Sequence, residues 1–265
     1  MRLLLAPRLR RRFRGGSTPH TPHAPLRSAL KLAYDDHGSG PAVVLLHGGG
    51  SGRATWSGFA GLLRYRRIIV PDLRGHGDSP RAGEYPLSGF ADDVVELLDH
   101  LALDEVALVG HSLGAFTAAL VAQRQPARVT RLVLEDPPAP PGSFSRARLV
   151  LSGLALRGRA FDPRALRSAV TQLRQPQPDW WAGLRRITAP TLVLSGGSRS
   201  HISPARLAEL AAAIPECRLV TVPVGHRIHS TAPAAFSAEV LPFLCPDPVS
   251  GSDVPDENRS EGSPP

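Results

Sequence analysis

Six short apolar runs, Ala42–Leu46, Arg67–Val70, Val106–Val109, Leu132–Leu134, Thr191–Leu194 and Leu219–Val222, punctuate the middle of the chain, each bounded by turn residues. None alternates apolar with polar positions, so they suit strands buried on both faces, as in a parallel sheet. The segments between them carry helical periodicity. Leu87–Leu101 places Phe90, Val94, Leu97, Leu98 and Leu101 on one face, with Ser88 as a possible N-cap. Ala115–Ala122 and Ala205–Ile214 are similarly rich in Ala and Leu. Strand and helix in alternation predict a doubly wound α/β domain. The alternation lapses over 137–189, where helical patches near Ala147–Leu156 and Arg164–Leu173 predict an inserted lid.

With 265 residues, 42% of them apolar, the chain can bury a sizeable core. No stretch reaches the roughly 18–20 uncharged apolar residues that span a bilayer. Cys217 and Cys245 are too few for a disulfide scaffold and lack Cys-x-x-Cys spacing, which makes a reduced compartment the default. The net charge of +8 suggests nucleic acid at first sight, but of the 31 basic residues only Lys31 is a lysine. So uniform a preference points to a GC-rich coding sequence, and with it a bacterial, cytoplasmic protein. Residues 1–34 hold seven Arg and Lys31 without an acid, leaving the remainder close to neutral, and no nucleic-acid motif accompanies the charge. That basic start has the composition of an organelle transit peptide; the simpler reading is a disordered extension over 1–28 or an upstream start codon. The polar tail 245–265 is likewise expected to be disordered.

Three segments carry chemistry. Val106–Val109 runs into Gly110-His111-Ser112-Leu113-Gly114 and then an Ala-rich helix. Gly-x-Ser-x-Gly between strand and helix predicts a nucleophile elbow, its glycines relieving a tight turn that presents Ser112 over a helix N-terminus. Val43–Leu46 leads into His47-Gly48-Gly49-Gly50, where small residues let backbone N–H groups approach a ligand; no phosphate-loop motif fits. Leu219–Val222 precedes Gly225-His226-Arg227-Ile228-His229. A serine needs a base, and a histidine suits neutral pH; His226 is the candidate and His229 is read as structural. His-x-x-His without a third ligand nearby argues against a metal.

Together these segments resemble the α/β-hydrolase family from about Leu32 to Phe243, including Leu32–Pro41 and the turn Val70-Pro71-Asp72-Leu73-Arg74-Gly75-His76-Gly77-Asp78-Ser79. Asp72, Arg74 and Asp78 are expected to brace that turn. The resemblance implies an α/β-hydrolase fold: a mostly parallel eight-stranded sheet flanked by helices, its core over 29–136 and 190–244, with a helical lid over 137–189 after the sixth strand. It also implies a Ser-acid-His triad in that chain order, with Ser112 as nucleophile, His226 as base and the N–H groups of Gly49 and Leu113 as oxyanion donors.

The acid departs from the common pattern. Most members carry it in the loop after the strand at Thr191–Leu194, but there Ser195–Pro204 has no carboxylate. Some members place it after the preceding strand, which here ends in Glu135-Asp136. Asp136 is the expected orienting acid and Glu135 the runner-up.

A serine at the elbow excludes the members that need Asp there. What remains is acyl-enzyme chemistry on an ester, thioester, lactone or similar small-molecule acyl substrate, without metal or organic cofactor. Acyl transfer and C–C bond hydrolysis use the same residues, and a non-catalytic ligand-binding member stays open because of the acid-free loop. The lid region Ser143–Pro190 holds nine Arg against Asp162 and Asp179, which is read as an Arg-coated helix face rather than an anion trap. Trp180 and Trp181 are expected to pack the lid onto the core.

Overall fold

A computed structural model describes residues 23–25, 31–142 and 161–245. The rest of the Arg-rich start, the helix expected over Ala147–Leu156 and the tail from Pro246 lie outside the described residues. Eight strands, β1 (His23–Pro25), β2 (Lys31–Gly38), β3 (Ala42–Leu46), β4 (Arg67–Pro71), β5 (Val106–His111), β6 (Val129–Glu135), β7 (Thr191–Ser195) and β8 (Cys217–Thr221), form one sheet. Their order is β1-β2-β4-β3-β5-β6-β7-β8. β1 and β2 run antiparallel to their neighbours, and every pair from β4 to β8 is parallel. β1 falls inside the segment expected to be a disordered extension; nothing in its basic, turn-rich composition announces a strand.

Parallel pairing requires a crossover between strands, and helices supply it on both faces. They are α1 (Ser57–Ala60), α2 (Leu87–His100), α3 (Leu113–Arg124), α4 (Pro163–Leu173), α5 (Pro178–Gly183), α6 (Pro204–Ala213), α7 (Ile228–Thr231) and α8 (Pro233–Leu244). β3, β5 and β7 are buried along their whole length, as the continuous apolar runs predict. Side chains alternate between the faces. Val44 and Leu46 pack with Leu108, Leu132 and Phe116 on one side, whereas Val43 and Leu45 meet Val109, Val133, Trp56 and Phe236 on the other.

Ser88 is not the N-cap of α2. The helix begins at Leu87, after Pro86 in an extended conformation, and the Leu87 N–H donates to Oε1 of Gln172 at 3.0 Å. A side chain from α4 thus satisfies the first orphan donor of the helix. Further contacts join the described part of the β6–β7 connection to the core. Tyr85 donates to Asp162, the cap of α4, and Trp180 stacks on Phe116 of α3 with centroids 4.9 Å apart and planes at 9°. Trp181 donates Nε1–H to the Pro140 carbonyl and lies under the Arg206 guanidinium. Both tryptophans therefore act as packing groups.

The turn after β4 is braced by charge, with a hub that the sequence reading did not name. Arg53 meets Asp35, Asp72 and Asp78, and buried Asp72 also accepts N–H groups from Arg53 and Asp78. Arg74 forms a buried pair with Asp93 of α2.

Candidate functional site

All the parallel strands end on one side of the sheet, so β3, β5, β6, β7 and β8 deliver their following loops to a common region. Ser112 joins β5 directly to α3 at φ 52° and ψ −115°, a conformation that costs a non-glycine residue on the order of 1–3 kcal/mol. The glycines around it make the turn possible. A Cβ on Gly110 would lie 2.4 Å from the Gly114 carbonyl oxygen, and one on Gly114 would lie 2.3 Å from that of Leu46. The Ser112 N–H is tied to the Glu135 carbonyl at 2.9 Å, fixing the elbow against the neighbouring strand.

His226, in the loop after β8, reaches both partners. Its Nε2 lies 2.9 Å from the Ser112 Oγ and its Nδ1 lies 2.6 Å from Asp136 Oδ2. Nδ1–H donates to the carboxylate, which leaves Nε2 as the acceptor of the serine proton. Asp136 has no solvent exposure and sits at φ 46°, with its N–H on the Leu194 carbonyl at 2.7 Å. Its Oδ1 accepts the Gly196 N–H at 2.9 Å, and Oδ2 also accepts the Ser200 hydroxyl. The loop without an acid thus supplies donors to the acid on the preceding strand.

The glycine loop after β3 is held by two neutral histidines. The Leu73 N–H donates to His47 Nε2, and His47 Nδ1–H donates to the Gly48 carbonyl. Likewise the Gly50 N–H donates to His76 Nε2, while His76 Nδ1–H serves the Arg74 carbonyl. A ring that must accept at one nitrogen cannot carry two protons. Burial, reinforced by neighbouring His76, pushes His47 down to about 3, and burial also lowers His76. The Gly50 N–H is therefore committed, whereas Gly49 lies against Leu113, the first residue of α3, whose amide has no intrahelical partner. Over this spot hangs Leu166 of α4: a Cβ on Gly49 would meet its Cδ1 at 2.9 Å.

Glu135 faces away from His226. Both its oxygens go to His229, accepting the backbone N–H at 2.9 Å and Nδ1–H at 2.7 Å. His229 Nε2 meets Thr55 Oγ1 at 2.9 Å, and His111 Nε2–H donates to the His226 carbonyl at 2.8 Å. Burial opposes ionisation of Glu135, but His111 and the His229 hydrogen bonds outweigh it and hold the carboxyl below its ordinary value. Burial drives His111 down to about 3. Ligand atoms of His111, Glu135 and His229 lie within 4.8 Å of one another, a spacing a metal could use, yet hydrogen bonds link each of the three into this network.

Ser200, His111 and Thr55 were not singled out in the sequence; the one available signal was the run of serines where an acid was expected. Exposed His201, also missed, places its ring 4.0 Å from that of His226. A cavity of about 710 Å³ runs beside the glycine loop, lined by Gly50, Ser51, Thr55, Asp72 and Phe161 among others, and includes neither Ser112 nor His226. No described helix is long and apolar enough to cross a membrane.

A family model for the alpha/beta hydrolase fold matches residues 41–154. Over 260 residues the chain is 32% identical to RutD of Variovorax paradoxus, named as a carbamate hydrolase, across 81% of this chain and 96% of the relative. The chain belongs to the α/β-hydrolase fold family. This α/β hydrolase is also 28% identical over 262 residues to the sn-1-specific diacylglycerol lipase ABHD11 of Mus musculus, covering 81% of this chain and 85% of that one. A solved hydrolase from Pseudomonas aeruginosa matches it with a TM-score of 0.74 and 26% identity, covering 86% and 99% of the two chains. By these relationships the α/β hydrolase is a hydrolytic enzyme.

Proposed function

We propose that this α/β hydrolase cleaves a small to medium ester, thioester, lactone or similar acyl substrate through an acyl-enzyme on Ser112. The observation that carries the reading is His226, which spans Ser112 and Asp136 in one line of hydrogen bonds. Ser112 Oγ attacks the acyl carbonyl as its proton passes to His226 Nε2. Asp136 holds the ring in the required tautomer and stabilises the imidazolium. The N–H groups of Gly49 and Leu113 receive the oxyanion, each worth about 3–4 kcal/mol in the transition state. His226 returns the proton to the leaving group, then deprotonates a water that attacks the acyl carbon and releases Ser112.

Helices α4 and α5 serve as the described part of a lid, with Leu166 over the oxyanion loop. The machinery uses no metal or organic cofactor, and the enzyme works in the cytoplasm on a small molecule. The relatives are named for ester and carbamate hydrolysis, and both reactions begin with attack on an acyl carbon.

Intact mass after fluorophosphonate treatment, with turnover of short p-nitrophenyl esters, tests the reading. Wild type takes one label, Ser112→Ala takes none, and Asp136→Asn loses about 10⁴ in kcat. An unlabelled wild type, or an Asp136→Asn variant with full turnover, overturns it.

A further inference from the structure

Each member of the proposed machinery has a sequence neighbour in a second, deeper network. His111 precedes Ser112, Glu135 precedes Asp136, His229 follows His226 by three residues, and Thr55 lies in the short helix after the glycine loop. Glu135 has no solvent exposure, and His111 and His229 are also buried. The two rings lie 5.0 Å apart at 62°, and His111 is 4.7 Å from His226.

We propose that Thr55, His229, Glu135 and His111 form a buried bracket that positions His226, with Glu135 as its anchor. The inference rests on the acyl-enzyme reading of Ser112, His226 and Asp136. Glu135 ends β6 and Asp136 follows it in a left-handed turn, so two successive carboxylates grip two histidines three positions apart, His226 in the loop after β8 and His229 in α7. Asp136 takes the imidazole of His226. Glu135 takes the backbone and ring of His229, and so fixes how deeply the loop sits. His111 holds the loop from the elbow side, through the carbonyl of His226 itself. Thr55 closes the bracket against the segment that carries the oxyanion donor. These contacts determine the distance from Nε2 to Oγ through the loop that carries His226.

A displacement of about 1 Å in such a group can cost on the order of 100-fold in rate. The test uses the full chain with p-nitrophenyl butyrate and compares Glu135→Gln, Thr55→Val and Asp136→Asn with wild type. Glu135→Gln keeps the shape but replaces one acceptor oxygen by a donor amide facing Nδ1–H. Its kcat is expected to fall roughly 20- to 100-fold while KM stays within about threefold, with fluorophosphonate labelling slowed to match. Thr55→Val loses only the outer hydrogen bond, with an expected fall of roughly threefold to tenfold. The low-field proton resonance of His226 Nδ1–H broadens in Glu135→Gln, a signature that general loosening far from the site does not give.

Wild-type kcat in both folded variants, or a loss confined to KM, overturns the bracket while an inactive Asp136→Asn leaves the acyl-enzyme reading standing. Full turnover in Asp136→Asn sinks that reading instead. If Glu135→Gln does not fold, Thr55→Val decides: reduced kcat supports the bracket and unchanged kcat overturns it.

Discussion

Ser200 donates its hydroxyl to Oδ2 of Asp136, the same oxygen that faces Nδ1 of His226. The Ser200 Oγ in turn accepts the Ile202 N–H at 3.0 Å, so its donation is directed by the loop's own backbone. With Gly196 N–H on Oδ1, Asp136, the residue after β6, is held by the loop after β7. A loop that holds no carboxylate of its own supports one from the end of the neighbouring strand.

Replacing Ser200 by Ala removes one charge-assisted hydrogen bond and leaves Asp136 and its Gly196 contact in place. Such bonds contribute about 1.5–3 kcal/mol, of which only the part affecting orientation reaches the rate. Ser200→Ala is expected to lower kcat by roughly threefold to tenfold with little change in KM. Steady-state kinetics on p-nitrophenyl esters check this; a loss as large as that of Asp136→Asn contradicts a supporting role.

Stability should fall steeply in mild acid. His47 and His111 sit near 3 when folded and near 6.5 when unfolded, and His76 is displaced in the same direction. The unfolded chain therefore binds more protons below 6.5, and each such histidine withdraws about 1.4 kcal/mol per pH unit until the folded value is reached. Glu135, lowered in the folded state, adds a loss at still lower pH, as protonation of the unfolded carboxyl begins. Urea unfolding at pH 7.5, 6.0 and 5.0 is expected to show little change above 6.5 and a marked drop below it. A flat profile is incompatible with two histidines locked as acceptors by Leu73 and Gly50.

Leu166 is expected to limit the acyl group. Its Cδ1 occupies the space immediately over Gly49, beside Leu113. Leu166→Ala should raise kcat/KM for branched or longer acyl chains relative to acetate by roughly 10- to 100-fold, in line with about 1–3 kcal/mol per methylene in an apolar pocket. A panel of p-nitrophenyl esters measures the ratio, and an unchanged chain-length preference would place the acyl group elsewhere.

The sheet was legible because buried parallel strands write themselves as uninterrupted apolar runs, and β3, β5 and β7 are buried from end to end. Strand β8 was offset, expected over Leu219–Val222 but found at Cys217–Thr221, because a half-exposed edge strand has no such run. The start of α2 was read at Leu87, where it is found, but its cap was misread as Ser88, since the first amide is satisfied by Gln172, 85 residues away. Among the residues of the candidate site, Ser112, Asp136 and His226 announce themselves by residue type at strand ends. His229 was read as structural, whereas Thr55 gave no signal, because the hydrogen bond between them joins positions 174 residues apart. The sequence ranked Asp136 ahead of Glu135 but gave Glu135 no separate role; the left-handed turn at Asp136 sends the two to different histidines.

That division of labour at the end of β6 makes the strand a phase-sensitive part. Deleting one residue ahead of Glu135 would put Asp136 in the place of Glu135 and Pro137 in the place of Asp136, leaving His226 without a carboxylate, and the same slip would turn Val133 and Leu134 into the wrong layers of the core. A change of length is therefore expected to be tolerated in the loops on either side of β6 and not within the strand itself.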